Sequence, residues 1–251
     1  MHSEMLIDSR RFDVACETAS SESRLGIGEY KEKTLHRTLK HYFEPDTDLH
    51  EVAFAGSVAD IKNSEGIIEI QTRSFDRLVP KLHRFLPESD VTIVYPIVET
   101  KTIAKVDVNS GESLPPRKSP RKGRASDALA ELAKIRDFLP NDRLKIIILF
   151  LDATEIRMSG GSTAVGRRRT TKIDLVPTAI KSALVLKEGA DFEILLPNRL
   201  GESFTSTEFE KASGLHKINL HNSLMLLLGL GILTRQKQGR RYVYSSQIKK
   251  I

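Results

Sequence analysis

The chain has 251 residues, 39% of them hydrophobic and 29% charged, which is enough apolar material for one large core or two smaller ones. A lone Cys16 excludes an internal disulfide and a cysteine-rich zinc site. No apolar run approaches the roughly 20 residues a bilayer requires, and the start lacks the apolar stretch of a secretory leader, so the expected setting is cytoplasmic.

Charge divides unevenly. Residues 1–110 carry 14 Lys and Arg against 19 Asp and Glu, whereas residues 111–251 carry 25 against 14. A basic half fits a polyanionic partner, nucleic acid being the commonest in the cytosol, or simply a well-solvated basic surface.

Residues 1–23 are polar and aperiodic and read as a loose tail. From Glu29 the spacing becomes helical: "EYKEKTLHRTLKHYF" places Leu35, Leu39 and Tyr42 or Phe43 on one face. "EPDTD" ends that helix. "HEVAFAGSVADI" then reads as a strand pair or one bent strand, with Gly56 at a bulge or kink. "NSEG", Asn63 to Gly66, is a turn, and "IIEIQT", Ile67 to Thr72, is the next strand. Ser74 can N-cap a helix presenting Phe75, Leu78, Leu82 and Phe85, whose start is blurred by Pro80. Val91 to Val98 and Thr102 to Val108 read as two further strands, and helix, strands, helix, strand describes an α/β layer.

Two carboxylates interrupt these apolar runs. A period of two puts Glu69 and Gln71 on one face of their strand, and a hairpin through "NSEG" brings Asp60 beside Glu69. Neighbouring anions repel unless a cation lies between them. Mg²⁺ or Mn²⁺ suits such a pair, because a hard ion takes one or two carboxylates and leaves its other positions to water and phosphate oxygens. Bound there, it would polarise a phosphodiester and supply a hydroxide near neutral pH. The alternative is an exposed polar hairpin face with Asp60 as a turn residue. His36, His41, His50 and His83 join no Ser or Cys nucleophile motif and read as surface or packing residues. Among them, His50 leads into the strand of Asp60 and is the candidate to approach it.

Basic segments follow. "LPPRKSPRKGR" holds Arg117, Lys118, Arg121, Lys122 and Arg124 among three prolines and reads as an extended solvated loop, either a phosphate-binding arm or a linker. "SDALAELAKIRDFL" reads as a helix capped by Ser126, and "LKIIILFLDATEIRM" as a long buried strand. Arg167, Arg168 and Arg169 form a second basic loop after "SGGST".

Thr205 to Glu208 fits a capping box, opening a helix that turns at "ASGL", Ala212 to Leu215. The next helix should bury Ile218, Leu224, Leu227 and Leu228 and expose Lys217, Asn219 and Asn222. "GILTRQKQGRRYVY" gives a basic hairpin carrying Arg240 and Arg241. These residues resemble a winged helix-turn-helix, with Pro177 to Gly189 and "DFEILLP" as its first helix and strand. In that fold the second helix of the pair enters the major groove, although some winged helices bind proteins instead.

Asp60, eight intervening residues, Glu69, one residue, Gln71, preceded by a helix containing Glu32, resembles the PD-(D/E)xK nuclease superfamily in a variant with Gln at the usual Lys position. The wider run from Glu29 to Tyr244 resembles bacterial nuclease-like proteins ending in a winged helix. The resemblance implies that Asp60 and Glu69 ligate metal, that Glu32 holds a water or the metal's outer shell, and that Gln71 orients the attacking water. It also implies a restriction-endonuclease-like α/β domain followed by a winged helix. Gln71 brings no positive charge, so Arg73 or Arg77 would supply it. The expected organisation is a flexible tail (1–23), a nuclease-like α/β core (24–110), a basic Pro-rich loop (111–125), an α/β continuation with a basic loop (126–175) and a winged helix-turn-helix (176–251). The expected function is metal-dependent hydrolysis of DNA. Its alternative is a non-catalytic DNA-binding regulator carrying an inactive nuclease-like domain. The expected partners are nucleic acid, DNA first, and a second copy of the chain at a two-fold site; no membrane is expected.

Overall fold

The computed structural model of the protein describes residues 7–25, 33–107, 113–162 and 168–246. Helix α1 (Ser9–Leu25) forms because Phe12, Ala15 and Ala19 recur at helical spacing, and all three are buried. A helix therefore replaces the loose tail expected over residues 1–23, of which Met1–Leu6 lie outside the described residues. Two alanines in a Ser- and Glu-rich stretch carry little hydrophobic signal, yet they let α1 pack directly on α2 (Thr34–Phe43). Leu35, Leu39 and Tyr42 form the buried face of α2, and Phe12 meets the Tyr42 ring edge-on at 5.7 Å.

A 3-10 turn at Thr47–Leu49 leads into the antiparallel hairpin β1 (His50–Phe54) and β2 (Ser57–Asn63). Ala55 and Gly56 turn it with φ of 45° and 72°, so Gly56 is a two-residue-turn position rather than a bulge. The second hairpin, β2 with β3 (Gly66–Ile70), turns through Ser64 and Glu65 as expected. Ser74 lies in the left-handed region and its side chain caps nothing, contrary to expectation. A 3-10 turn (Phe75–Leu78) and α3 (Val79–Phe85) nevertheless bury Phe75, Leu78, Leu82 and Phe85. Pro80 sits in the first turn of α3, where its missing N–H costs no helical bond.

The two strands expected over 91–108 are one: β4 (Val91–Asp107) runs unbroken past a register shift between Val98 and Thr100. The segment after it is not a free loop. β5 (Ser113–Lys118) pairs antiparallel with the outer half of β4, an edge position where Pro115 and Pro116 can sit. Gly123 then donates its N–H to Val98 O at 3.1 Å, and a Cβ there would lie 2.4 Å from the same oxygen. Short turns surround α4 (Leu129–Leu132); Ser126 is buried, and the Arg124 N–H is met by Asp127 instead.

β6 (Leu144–Ser162) is the expected long strand, and β7 (Arg168–Leu186) pairs antiparallel with it. Two expectations fall here. Pro177 to Gly189 is strand and approach to a turn, not helix, and residues 191–197 lie mostly in a 3-10 segment (Gly189–Leu195), not a strand. Ile180, Ala183 and Leu186 satisfy a three-residue spacing, but a strand as apolar as β6 needs a partner on its outer side, and they supply it opposite Leu151, Leu149 and Ile146.

The fold is mixed α/β. Its main sheet runs β1-β2-β3-β4-β6-β7, with β3, β4 and β6 mutually parallel and the other neighbours antiparallel. Alternate residues of β6 feed two cores: Ile146 and Ile148 one, Ile147, Leu149 and Leu151 the other, which α1 and α2 cover. β3 and β5 share one edge of β4, and the stretch between them, near Val98, is where the sheet opens.

The C-terminal part has β8 (Ser203–Thr205), α5 (Ser206–Ser213), α6 (Lys217–Gly229), β9 (Leu233–Gln238) and β10 (Arg241–Ser246), with sheet order β8-β10-β9. The capping box forms, with Thr205 N bound to Glu208 at 2.7 Å, and Gly214 ends α5 at φ 73°. Leu224 and Leu227 are buried as expected, Leu228 partly so, whereas Ile218 is 64% exposed. Phe209, Leu224 and Leu227 join the same core as Leu129 and Leu132. A boundary at residue 175 would cut β7 in two.

Candidate active site

Asp60 lies at the middle of β2 between the buried Ala59 and Ile61, and Glu69 stands one residue from the end of β3, so antiparallel pairing with Ile61 opposite Ile68 sets them side by side. The Asp60 N–H donates to Glu69 Oε1 at 3.3 Å, and the Ile70 N–H donates to Asp60 Oδ2 at 2.8 Å. Glu69 is only 2% exposed. The hairpin thus brings together the two carboxylates expected at the site.

Two further residues complete the cluster. Lys81, from the first turn of α3, donates to both Glu69 oxygens at 3.0 and 2.7 Å and lies 4.0 Å from Asp60 Oδ1. His36, from α2, stands 3.1 Å from Asp60 Oδ2. Neither belongs to the expected set. The expected cation came from Arg73 or Arg77, both exposed; the observed one comes from α3, where Lys81 is a polar residue next to the buried Leu82. His50 is not the approaching histidine: its Nε2 meets Glu44 O at 2.8 Å. Gln71 turns away from the carboxylates, its amide donating to Arg73 O at 2.5 Å and Ser74 O at 3.2 Å. Glu32 lies outside the described residues.

The electrostatics follow from this crowding. Burial pushes Asp60 up, but the hydrogen bond and charge of His36, the Ile70 N–H and Lys81 outweigh it and hold the carboxyl below its ordinary range. Burial and then the Asp60 charge push Glu69 up to about 7, against the pull of Lys81. Two acids share one lysine, and the pair remains short of positive charge. Among the described residues no cluster of three or more His, Cys, Asp or Glu converges on one point. Two carboxylates are the number a hard divalent ion commonly takes from protein.

Beside the cluster lies a cavity of about 570 Å³ lined by His36, Arg73, Lys33 and Lys172. It adjoins a second of about 540 Å³ whose walls include Lys101, Arg121, Glu155, Lys172, His216 and Asn219. Of the residues expected to bind nucleic acid, Arg117 and Lys118 are exposed on β5, and Lys122 is exposed beyond it. Arg124 ties this segment to α5 through Ala212 O at 3.2 Å. Lys217 and Asn219 are exposed at the start of α6, Asn222 is half-buried, and Arg240 and Arg241 are exposed at the β9–β10 turn. Arg167 and the side chains of Arg168 and Arg169 lie outside the described residues; the backbone of the last two opens β7 rather than a loop.

No described helix is long and apolar enough to cross a membrane. An uncharacterized protein of Treponema pallidum (strain Nichols) is 26% identical over 224 residues, covering 88% of each chain. No solved structure matches this chain. Residues 33–187, from the residue before α2 to the one after β7, match the family described as "Domain of unknown function (DUF8091)", and the chain belongs to that family.

Proposed function

We propose that the protein is a metal-dependent nuclease that hydrolyses phosphodiester bonds in DNA, with its C-terminal part holding the substrate. The observation that carries this reading is the convergence of Asp60, Glu69 and Lys81 from two strands and a helix, with His36 joining Asp60 to a neighbouring cavity that Lys33, Arg73 and Lys172 also line. Asp60 and Glu69 would hold Mg²⁺ or Mn²⁺. When bound, such an ion polarises the scissile phosphate and acidifies a nearby water. Lys81, held on Glu69 at 2.7 Å, would supply the positive charge that Gln71 lacks. His36, hydrogen-bonded to Asp60, orients that carboxylate and sits on the cavity side, placed to take or return a proton.

The resemblance to PD-(D/E)xK nucleases is supported by the helix, strands, helix, strand order of α2, β1–β3, α3 and β4. The winged-helix reading draws support from α5, α6 and the β9–β10 hairpin, with β8 completing a three-stranded sheet. Its first helix is replaced by the 3-10 segment Gly189–Leu195.

Cleavage of labelled duplex, single-stranded and branched DNA and of RNA, in Mg²⁺, Mn²⁺ and EDTA, tests the reading. Metal-dependent cleavage should disappear in Asp60→Ala and Glu69→Ala while duplex binding in EDTA is retained. Cleavage at the wild-type rate in Asp60→Ala would falsify the assignment. A second reading, the non-catalytic DNA-binding regulator, is favoured by one feature: Lys81 already occupies both Glu69 oxygens. Duplex binding with no cleavage of any substrate in either metal selects it.

A further inference from the structure

A second buried acid lies 32 residues before the end of the family match, in the middle of β6. Glu155 is 3% exposed, and three cations surround it: Lys101 from β4 at 2.9 Å, Arg157 on its own strand, hydrogen-bonded through Nε at 2.6 Å, and Lys172 from β7 at 3.5 Å. Strand register makes this crowding unavoidable. Arg157 pairs directly with Lys172, a like-charge cross-strand pair that ordinarily destabilises a sheet. One carboxylate offsets three positive charges, so the centre keeps an excess of two. That excess faces a concavity. Lys101 and Lys172 line the cavity of about 540 Å³, and its far wall adds His216 and Asn219 from the start of α6 and Arg121 from the basic segment. Lys172 also lines the cavity beside His36 and Arg73, so it joins the two.

We propose that Lys101 and Lys172, positioned by Glu155, bind a backbone phosphate of a nucleic-acid strand and lead that strand from the His36–Asp60 rim to the α5–α6 turn. This rests on the nucleic-acid reading above and adds a phosphate subsite away from the bond to be cut. Glu155 acts as a positioning residue. Its carboxylate fixes the Lys101 ammonium and lets three cations share one site, and burial does not neutralise it, because those cations hold it down to about 2. Both lysines line the cavity, with side chains 27% and 40% exposed.

Fluorescence anisotropy of a labelled duplex and a labelled single strand, in EDTA and across a salt series, tests this. Lys172→Gln should lower the slope of log affinity against log salt by about 0.9 for duplex or about 0.7 for a single strand. Lys101→Gln with Lys172→Gln should lower it by about twice that, with affinity down at every salt concentration. If the double variant fails to fold, Lys172→Gln carries the test alone, its side chain being the more exposed of the two at 40%. An unchanged slope in folded Lys172→Gln overturns the subsite. Absence of salt-dependent binding by the wild type to either nucleic acid overturns the reading on which it rests. Calorimetric titration with inorganic phosphate separates the other source of the same chemistry: tight phosphate binding lost in Lys172→Gln, with an unaltered nucleic-acid slope, assigns the site to a free phosphate compound and overturns the proposal.

Discussion

Among the described residues acids are buried in two places on one sheet, and the two differ in their surrounding charge. At the β2–β3 hairpin two carboxylates share one lysine and one histidine, and Glu69 is pushed up to about 7. On β6 a single carboxylate is shared by two lysines and an arginine, and Glu155 is held down to about 2. Burial opposes ionisation in both. At the first centre burial and then the neighbouring Asp60 charge prevail on Glu69; at the second the surrounding cations prevail over burial on Glu155.

Lys81→Met breaks the first centre most severely. It leaves two buried carboxylates without their ammonium, a loss of about 3–5 kcal/mol in denaturant unfolding. The loss should be larger at pH 8 than at pH 6, because without the pull of Lys81 Glu69 keeps its proton to higher pH than the about 7 of the wild type, so only the variant goes on losing stability above that pH. Millimolar Mn²⁺ should restore much of the stability by taking the place of the ammonium. Failure of Mn²⁺ to raise the midpoint of Lys81→Met at pH 8 would argue against an ion site there.

In the wild type the same group sets a slope. Folded Glu69 keeps its proton up to about 7, whereas the unfolded side chain releases it near 4.5. The folded state therefore binds more protons between those values, and the Glu69 contribution to stability is lost as pH rises through about 7. Asp60 and Glu155, both lowered, contribute with the opposite sign: their stability is present above the unfolded carboxylate range and is lost as pH falls through their folded values. Urea midpoints of wild type and Glu69→Gln from pH 5 to 8 should differ in slope, the variant falling less; parallel curves would remove the strain attributed to the pair.

Glu155→Gln is the mirror experiment. Removing the one negative charge should cost about 2 kcal/mol, with sulfate or phosphate, not Mn²⁺, recovering it. Equal recovery by chloride at matched ionic strength would reduce the centre to general screening. The smallest effect belongs to Arg121→Ala: its side chain is 80% exposed and lies 3.6 Å from Asp127, so stability should stay within about 0.5 kcal/mol. Any larger shift in the melting midpoint would mean that Arg121 is structural.

Much of the acidic centre was legible because it is local. Asp60 and Glu69 are joined by one short hairpin, and alternation in "IIEIQT" marks the interruption. Lys81 and His36 were not, because a lysine in the first turn of an amphipathic helix and a histidine in another look like surface residues until the helices are docked. Glu155 carried the same signal as Glu69, an acid inside an apolar strand, in "LFLDATEIRM". Its partners arrive from 54 residues before and 17 after, distances that sequence pattern does not span. The misread segments fail for a related reason. Ile180, Ala183 and Leu186 fit a helical face as well as a strand beside β6, and only the need to cover β6 decides between them. Phe12, Ala15 and Ala19 bury a face too small to show in a polar stretch.

The hairpin also bears on the order in which the chain assembles. Asp60, Glu69 and Lys81 lie within 22 residues of one another, so closing the loops among them costs little entropy, and the repelling pair meets its lysine among the earliest contacts. The pairing of β4 with β6 joins Val91 to Leu144 across 53 residues and is expected later. On loop-closure grounds the acidic pair is expected to meet its lysine before the sheet closes, whereas Glu155 can meet Lys101 and Lys172 only once β4, β6 and β7 have paired.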